Sequence, residues 1–523
     1  MGFYLYRGKG SSVAGVIVIG SNVIKMKISQ IYRSKIVDLE TLEYPISIGH
    51  EVFSTGKISF NSVREISSIL SGYLKLFDEY KIINYKVLGT TAFREAENRE
   101  FVIDQLRVQN GLNVEILELN YEEMLICSNI IRQIDNNESE EQSGKIIANI
   151  SSGNLGLSLY ENGAVKFSHN VPIGYMRVYD MFSEVIESGE DISSVLEEYM
   201  NVMVKRMQYW LSPESSQTLI VTGNDISLIS EICNAQCDGN RFNVEIDELT
   251  KLYDSFKTIN LDRLSIMLNL NTEKTKLACS ILSICLGILK IANIKSVTYV
   301  KTELLDCVMN LLLNKRDTLL IEENIESSTI ESAKSIAKYY RSDMKHYEAV
   351  CENACTIFER LKKIHGLNQR KKLLLQLACI MHECGNNINL KNSDESVFNA
   401  IKNTNVYGLS FEENLIVAYI AGLDEFSLKR YENELNKNLS VKNKLIASKL
   451  KAIFIIANAL DVSSKQKLCE VKAGIIKGEV IITGTTDKNT LFEQWEFRRC
   501  SDFFEEVFGV KIRLLVKPKN LSI

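Results

Sequence analysis

The strongest constraint on the fold of this chain is an internal repeat in its first half. The segments GVIVIGSNVIKMKIS and KIVDLETLEYPISIG predict a strand, a polar turn, a second strand and a third strand, and KIIANISSGNLGLSLY with GAVKFSHNVPIG has the same order. The third strand ends at Pro45-Ile46 in the first copy and at Pro172-Ile173 in the second. Proline is tolerated at strand ends because it cannot donate to the ladder. The repeat therefore predicts two related α/β lobes in tandem.

A helical pattern follows each copy of the repeat. In Val63–Phe77 the apolar residues recur at the spacing of an amphipathic helix, and NYKVLGTTAF is typical of a strand that leads into a helix at Thr91. After the second copy we expect a helix around Val195–Trp210 and then the strand TLIVTG. Two such lobes predict a cleft between them, where duplicated α/β folds usually bind their ligands.

The second half of the chain has a different character. From about Asn324 the pattern is helical only, and near the end it returns to strands. We expect helices at Ser335–Leu361, Lys371–Glu383, Ser410–Leu423 and Lys442–Leu460. The hairpin CEVKAGIIKGEVIITGTT, a helix near Ser501–Val507 and the strand VKIRLLVK then predict a small C-terminal α+β module.

Composition narrows the functional classes. A formal net charge of −5 provides no basic surface around which nucleic acid could wrap. The 12 cysteines contain no CxxC pair, which favours reduced thiols in a cytoplasmic protein over a zinc site. Leu277–Leu289 is the most apolar stretch but is shorter than the roughly 20 residues of a membrane span, so we expect a buried helix. The apolar run Val13–Ile19 is too short for a secretory signal and is interpreted as a buried strand.

Several segments, taken in order, resemble the exopolyphosphatase/guanosine pentaphosphate phosphohydrolase (Ppx/GppA) family. IVIGSNV is similar to the first phosphate loop of that family, an aspartate followed by x-G-S-N-S, and GTTAFREAENRE is similar to its A-T-x-A-x-R-x-A-x-N segment. IANISSGNLGLSLYENGAVKFSHNVPIGYMR resembles the second phosphate loop, D-I-G-G-G-S-T-E, and the L-P-x-G-x-x-R that follows it. VTGND, HGLNQRKKLLLQLACIMHECGNNIN, ANALDVSSKQ and FEEVFGVKIRLLV resemble later segments. The resemblance therefore covers nearly the whole chain.

The resemblance implies both a fold and an activity. The implied fold is a duplicated actin-like (ribonuclease-H-like) two-lobe core, followed by an all-helical HD-like domain and a small C-terminal α+β module. The boundaries are expected at 1–127, 128–322, 323–438 and 439–523. The implied activity is hydrolysis of terminal phosphoanhydrides in inorganic polyphosphate or guanosine pentaphosphate, with Mg²⁺. The family also suggests a homodimer.

Transferred residue by residue, the resemblance supplies a phosphate-binding cradle. The candidate phosphate-binding residues are Gly20, Ser21, Asn22, Arg94, Gly153, Asn154, Thr222 and Gly223. Turn N–H groups and a guanidinium fork are suited to phosphate oxygens. Taken alone, Gly20-Ser21-Asn22 is also a common composition for a plain hairpin turn.

The acidic positions of the family's loops are changed in this chain. The first-loop aspartate is Val18; in the second loop the aspartate is Asn149, two glycines are Ser151 and Ser152, and the final glutamate is Gly156. Asn149 is a weak metal candidate, because its amide oxygen brings no charge. Glu122 is the candidate catalytic base, and Glu123 is the alternative if the register shifts by one residue.

The helical region contains a further set of candidates. His346 and His382-Glu383 lie where HD proteins place metal ligands, whereas Glu395 and Leu423 occupy the positions expected for the other ligands. A packing or capping role for the histidines is favoured over a metal site, because two histidines without the remaining ligands rarely bind a metal.

Three functions remain open. The first is a Ppx/GppA-type phosphohydrolase that uses Glu122, Arg94 and Mg²⁺, weakened because each lost catalytic contact costs about 2.7–4 kcal/mol of barrier. The second is a non-catalytic regulatory protein that binds polyphosphate or a guanosine polyphosphate. The third is a structural or assembly protein that keeps only the packing of the core.

Overall fold

The computed structural model describes residues 13–33, 35–135, 144–179, 217–223, 226–233, 239–259, 261–290, 294–389, 392–423 and 425–519, with some separate residues between 198 and 210. The chain divides into two compact units, Met1–Ile325 and Glu326–Ile523. Most of the helix expected around Val195–Trp210, and Asn224 and Asp225 of the VTGND segment, lie outside the described residues.

The first lobe of the first unit is built on a five-stranded sheet. Its strands are β1 (Val13–Ile19), β2 (Val23–Tyr32), β3 (Lys35–Pro45), β4 (Asn84–Gly89) and β5 (Glu115–Ile116), in the order β3-β2-β1-β4-β5. Its helices are α1 (Ile48–Thr55), α2 (Phe60–Tyr80), α3 (Thr91–Glu95), α4 (Arg99–Asn110) and α5 (Leu119–Asp135). We call these elements lobe I.

The second lobe of the same unit repeats this arrangement. Its strands are β6 (Lys145–Ile150), β7 (Leu155–Glu161), β8 (Ala164–Val171), β9 (Gln217–Thr222), β10 (Arg241–Val244) and β11 (Ile294–Val300). The described helices are α6 (Ser227–Ile232), α7 (Ile246–Thr258), α8 (Leu261–Leu268), α9 (Thr272–Leu289) and α10 (Leu304–Leu313). We call these elements lobe II. The strand order β8-β7-β6-β9-β11-β10 matches that of lobe I with one strand added, so the predicted duplication is confirmed.

The two hairpins have the same register. In β1–β2, which we call the first hairpin, Val18 pairs with Lys25 across a four-residue turn. In β6–β7, the second hairpin, Asn149 pairs with Gly156 across a turn of the same length. Each hairpin also pairs in parallel with the strand that follows in its lobe, β1 with β4 and β6 with β9. The pair Val18/Lys25 is therefore the structural counterpart of Asn149/Gly156.

Two helix predictions in this unit are confirmed by burial. In α2 the residues Val63, Ile66, Leu70 and Phe77 are buried on one face, as the amphipathic spacing predicted. The apolar stretch Leu277–Leu289 is the buried C-terminal part of α9. Among the residues described, none of the helices combines the length and the apolar character that a bilayer span requires.

The second unit is helical and ends in a small mixed sheet. A helix, α11 (Lys315–Tyr339), leads the chain into this unit. The helices that follow are α12 (Met344–Arg360), α13 (Lys362–His365), α14 (Gln369–Met381), α15 (Ser393–Lys402), α16 (Phe411–Gly422), α17 (Glu425–Asn438) and α18 (Val441–Ala459). The tail consists of β12 (Cys469–Ile476), β13 (Glu479–Thr486), α19 (Leu491–Phe508) and β14 (Ile512–Pro518), with β14 parallel to β13. The predicted C-terminal α+β module is confirmed.

One predicted helix is wrong. The segment Ser335–Leu361 is not continuous, because α11 ends at Tyr339 and α12 begins at Met344. Arg341 lies between them in the left-handed region (φ 60°), and the side chain of Asp343 accepts from the N–H groups of Lys345 and His346. This capping begins a new helix where periodicity alone predicted a longer one. The helix expected near Ser501–Val507 is also longer and begins at Leu491.

Candidate functional site

A cavity of about 60 Å³ lies between the two hairpins of the first unit. It is lined by Val18, Gly20, Val23, Lys25, Thr90, Glu122, Ile126, Asn149, Ser151, Gly223, Thr302, Glu303, Leu304 and Leu305. The cavity therefore brings together Val18 and Asn149, which stand where the family pattern has acids, with the candidate base Glu122 and part of each candidate loop. Since one water needs about 10–15 Å³ by this measure, a phosphate chain enters only if lining side chains move.

In the first hairpin the lost acid is replaced by an apolar residue beside a lysine. Val18 is buried near the end of β1. The ammonium group of its strand partner, Lys25, lies 3.1 Å from a carboxylate oxygen of Glu303 and 2.9 Å from one of Glu43. Burial opposes the charge on Lys25, but Glu303 and Glu43 outweigh it and raise its pKa above the ordinary value. The cation is therefore retained, and Glu303 at the start of α10 neutralises it.

A second lysine of β2 makes a similar bridge. The Nζ atom of Lys27 lies 2.6 Å from Asp306 and 3.1 Å from Asp38. Burial again opposes the charge, and the two carboxylates raise the pKa of Lys27 above its ordinary value. Because Glu303 and Asp306 belong to lobe II, the two lysines fix α10 of that lobe to the sheet of lobe I.

Arg94, the candidate phosphate-binding arginine, is already engaged by protein groups. Its Nη1 atom donates to Oε2 of Glu122 at 2.6 Å and to the carbonyl oxygen of Leu117 at 2.7 Å. Its Nη2 atom donates to Oγ1 of Thr91 at 2.8 Å. The structure thus brings the candidate base and the candidate arginine into direct contact, and a phosphate would have to replace Glu122 on the guanidinium.

The carboxyl group of Glu123, on α5, fills the space beside Gly156, where the family pattern has a glutamate in the second hairpin. Its Oε1 atom accepts from the amide Nδ2 of Asn149 at 2.8 Å. A Cβ atom at Gly156 would lie 2.1 Å from Oε2 of Glu123, so the missing side chain makes room for this carboxyl group. Burial, together with the nearby charge of Glu122, raises the pKa of Glu123 to about 8. At neutral pH the carboxyl group is therefore mostly protonated, and its Oε1 atom still accepts from the amide of Asn149.

The turn of the second hairpin is held by its own side chains and by lobe I. Oγ of Ser151 donates to the carbonyl oxygen of Asn154 at 2.9 Å. A Cβ atom at Gly153 would lie 2.7 Å from Cγ2 of Thr91, so only glycine permits this approach between the lobes. Ser151, which replaces a glycine of the family pattern, therefore stabilises the turn.

Arg177 is a functional candidate that the sequence analysis missed. Its Nε atom donates to the carbonyl oxygen of Gly153 at 3.1 Å, and its Nη2 atom donates to both oxygens of Glu95 at 2.8 and 2.7 Å. Its guanidinium carbon also lies 4.9 Å from the ring centroid of Phe53. Arg177 thus connects the second turn to lobe I. The signal was present, because Arg177 is the arginine of the segment VPIGYMR that resembles L-P-x-G-x-x-R.

The other candidate residues lie in the turns around the cavity. The N–H of Gly20 donates to the carbonyl oxygen of Val23, and the carbonyl oxygen of Asn22 accepts from the N–H of Ile46. Gly223 has φ 151°, and a Cβ there would lie 2.2 Å from a carbonyl oxygen of Ile150. The buried hydroxyl groups of Ser21 and Thr222 have no hydrogen-bond partner among the described residues.

Comparison with known families identifies the relatives of this chain. The model of the Ppx/GppA phosphatase family matches residues 28–314, more than half of the chain, and that of Ppx/GppA phosphatase, domain III, matches residues 329–496. The chain belongs to the Ppx/GppA phosphatase family. The duplicated first unit is the actin-like core of that family, and membership supports a phosphohydrolase function in general terms.

Solved structures of this family resemble the chain at low identity. The Aquifex aeolicus family member is 20% identical, and the match covers 60% of this chain and 99% of that one with a TM-score of 0.48. An exopolyphosphatase from Cytophaga hutchinsonii is 15% identical, with 58% of this chain and 98% of that one covered and a TM-score of 0.49.

The cavity of this Ppx/GppA family member does not fit Mg²⁺. Magnesium is usually bound by one or two carboxylates together with phosphate oxygens and water. Val18 has no donor atom, and the amide nitrogen of Asn149 donates to a Glu123 that is mostly neutral. The two remaining carboxylates of the lining are paired with cations, Glu122 with Arg94 and Glu303 with Lys25. The residues of this cavity therefore support no catalytic step through a metal.

The candidates of the helical region lie in the second unit. His346, His382 and Glu383 form one cluster, and Nδ1 of His346 lies 3.0 Å from Oδ2 of Asp461. The positions expected to supply further ligands do not join them. Glu395 pairs with Arg430 instead, and Leu423 is a buried apolar residue. Asp461, which the sequence analysis did not single out, is the acid that contacts the cluster.

Proposed function

We propose that this Ppx/GppA family member binds the terminal phosphates of inorganic polyphosphate or of a guanosine polyphosphate as a regulatory protein, and that its hydrolysis of them is close to background. The observation that carries the proposal is the state of the two acidic positions. One is the apolar Val18, and the other is an amide, Asn149, bonded to the mostly neutral Glu123. Neither supplies the charge that holds a metal against a phosphoanhydride.

Several groups around the cavity support phosphate binding. Arg94 and Lys25 are cations whose present partners are carboxylates, and a phosphate can take the place of a carboxylate on a guanidinium fork. Gly20 and Gly223 line the cavity from the two lobes. The ligand would exchange with Glu122 and Glu303, so we expect binding to be accompanied by a small opening between α5 and α10.

Phosphate release from polyphosphate tests the catalytic part of the proposal. With Mg²⁺ present, the purified chain should release no more phosphate than its Glu122→Ala variant, and omission of Mg²⁺ should not change the rate. Mg²⁺-dependent release well above that of Glu122→Ala would contradict the proposal. It would favour the other candidate, a weakened phosphohydrolase, which the contact between Glu122 and Arg94 supports.

Thermal denaturation with and without polyphosphate or guanosine pentaphosphate tests the binding part. A ligand that binds only the folded state raises the unfolding temperature. We expect this rise in the wild type and a smaller one in Arg94→Lys, because an ammonium group cannot make the bidentate contact. Arg107→Ala is the matched control, since Arg107 is exposed and paired with Asp104 outside the lining of the cavity. An equal rise in wild type and Arg94→Lys would show that Arg94 is not the binding residue, and no rise in the wild type would contradict binding itself.

A further inference from the structure

The cluster in the second unit combines two imidazoles and a carboxylate. His346 lies in the first turn of α12, and His382 and Glu383 directly follow α14. One potential ligand atom from each of the three residues lies within 4.8 Å of the others. The two imidazole rings have their centroids 5.1 Å apart. These distances place three ligand groups of two types that transition metals accept in one small volume.

The hydrogen bonds of His382 determine which of its ring nitrogens is available. Nδ1 lies 2.7 Å from the carbonyl oxygen of Cys379, and since a carbonyl can only accept, Nδ1 carries the proton. Nε2 therefore carries the lone pair. This atom is buried and has no hydrogen-bond partner among the described residues. A buried acceptor without a donor is costly, by about 1–3 kcal/mol in typical proteins, so its retention requires an explanation.

His346 is oriented in the same way by a carboxylate. Its Nδ1 atom lies 3.0 Å from Oδ2 of Asp461. Asp461 also accepts from the backbone N–H of Gln466 at 2.6 Å and from its side-chain amide at 2.9 Å, which fixes the carboxylate in place. With Nδ1 donating to Asp461, the lone pair of His346 is on Nε2. Metal-binding histidines typically donate their other N–H to a carboxylate or a backbone carbonyl, and both histidines of this cluster do so.

His365 shows what a histidine with a purely structural role looks like in the same unit. Its Nε2 atom lies 2.8 Å from the carbonyl oxygen of Phe358, and its Nδ1 atom accepts from the N–H of Leu367 at 2.9 Å. Both nitrogens are satisfied. His382 lies at the C-terminal cap of α14, but capping accounts only for Nδ1 and leaves the buried Nε2 unexplained.

We propose that His346, His382 and Glu383 bind one divalent transition-metal ion, with Asp461 holding His346 in the required tautomer. A tetrahedral ion about 2.1 Å from each ligand needs ligand separations of about 3.4 Å. Since the ligand atoms lie within 4.8 Å of one another, the widest pair closes by about 1.4 Å at most. Three protein ligands leave a fourth position for water or a ligand. Imidazole with carboxylate suits Zn²⁺, Fe²⁺ or Co²⁺ better than Mg²⁺. This proposal does not depend on the function of the cavity in the first unit.

Metal titration of the full chain tests the proposal. The chain is stripped with a chelator, and Zn²⁺ or Co²⁺ is then added while heat and visible absorption are followed. We expect one ion per chain in addition to any bound by thiols, a higher unfolding temperature, and a Co²⁺ spectrum without thiolate charge-transfer bands. Glu383→Gln should lower the affinity at least tenfold, and Asp461→Asn should lower it about 10- to 100-fold as a residue that orients a ligand.

The variants distinguish a metal site from a packing role. Glu383 accepts from the N–H of Asp343 at 2.6 Å, and glutamine keeps an acceptor there, so Glu383→Gln should fold like the wild type. His365→Gln is the matched control and should leave metal affinity unchanged. The absence of any ion from the wild type would overturn the proposal. So would an affinity that Glu383→Gln does not lower, because the ion would then be bound by free cysteines elsewhere.

Discussion

The first hairpin places Val18 opposite Lys25, whereas the second places Asn149 opposite Gly156 at the same register positions. Both hairpins lack the acid of the family pattern, and each receives a carboxyl group from the opposite lobe instead. In lobe I, Lys25 binds Glu303 at the start of α10, which belongs to lobe II. In lobe II, Asn149 binds Glu123 of α5, which belongs to lobe I.

The two contacts between the lobes differ in charge, and that difference is informative. Glu303 faces a lysine whose pKa is raised, so this pair is ionic. Glu123 faces an amide, and its own pKa is raised to about 8, so this pair is mostly neutral. A lobe can thus replace a lost metal-binding acid either by an ion pair or by a neutral hydrogen bond. In both cases the new contact joins the lobes where the family pattern has acids for a metal.

The largest expected effect comes from restoring the family's glutamate at the second hairpin. Gly156→Glu should destabilise the first unit by about 3 kcal/mol or more, because the new side chain meets the carboxyl group of Glu123 in a buried site. Thermal or denaturant unfolding measures the change. The substitution should not restore Mg²⁺-dependent phosphate release, since the space it needs is already occupied.

A double substitution sharpens this prediction. Adding Glu123→Ala to Gly156→Glu removes the group in the way and should recover at least half of the lost stability, a coupling expected only of residues in contact. If Gly156→Glu alone were as stable as the wild type, Glu123 would not pack over Gly156. The neutral contact between Glu123 and Asn149 would then be wrong as well.

An intermediate effect is expected at the first hairpin. Lys25→Met should cost about 2 kcal/mol, because it leaves Glu303 without its cation in a largely buried site while Glu43 is half-exposed and can be hydrated. Replacing Glu303 by leucine in the same chain should recover most of the loss, since an apolar pair can substitute for a buried ion pair. Denaturant unfolding of the single and double variants measures both the loss and the recovery of unfolding free energy.

The matched control for this ion pair lies in the same sheet. Lys86 on β4 pairs with Glu115 at 2.8 Å, but both side chains are about half-exposed. Lys86→Met should therefore change stability by less than about 1 kcal/mol. Equal effects of Lys25→Met and Lys86→Met would mean that the bridge from β2 to α10 does not stabilise the contact between the lobes.

Much of the fold could be predicted from the sequence because its signals are local. The repeated hairpin, the amphipathic α2 and the C-terminal module each follow from periodicity within one segment. The break between Tyr339 and Met344 could not be predicted in the same way, since apolar spacing continues across it. The feature that decides it is the capping contact of Asp343, which periodicity does not register.

The site could be predicted from the sequence only at the positions that resemble the family pattern. The loss of acid at Val18, Asn149 and Gly156 was visible in the sequence. The replacements were not, because Lys25 and Glu303 are 278 residues apart and lie together only in the folded chain. Asp461 was missed for the same reason, since it lies 115 residues from the His346 that it contacts.

The last effect concerns the neutral contact between Glu123 and Asn149 and is a dependence on pH. The pKa of Glu123 in the folded chain is about 8, above the ordinary value of 4.5, so the folded state keeps its proton while the unfolded state releases it. The free energy of unfolding should therefore fall as pH rises from about 4.5 to about 8. Glutamine cannot titrate and can still accept from Asn149, so Glu123→Gln should lack this contribution to the fall.

Thermal unfolding of wild type and Glu123→Gln at several pH values measures this dependence. The two should be similarly stable near pH 4.5, and the variant should gain an advantage on the order of 1 kcal/mol or more by pH 8. Glu100→Gln is the control, because Glu100 is mostly exposed and its substitution should give no pH-dependent difference. An advantage that stayed constant with pH would mean that Glu123 is ionised in the folded chain, and both hairpins would then have received a charged carboxylate from the opposite lobe.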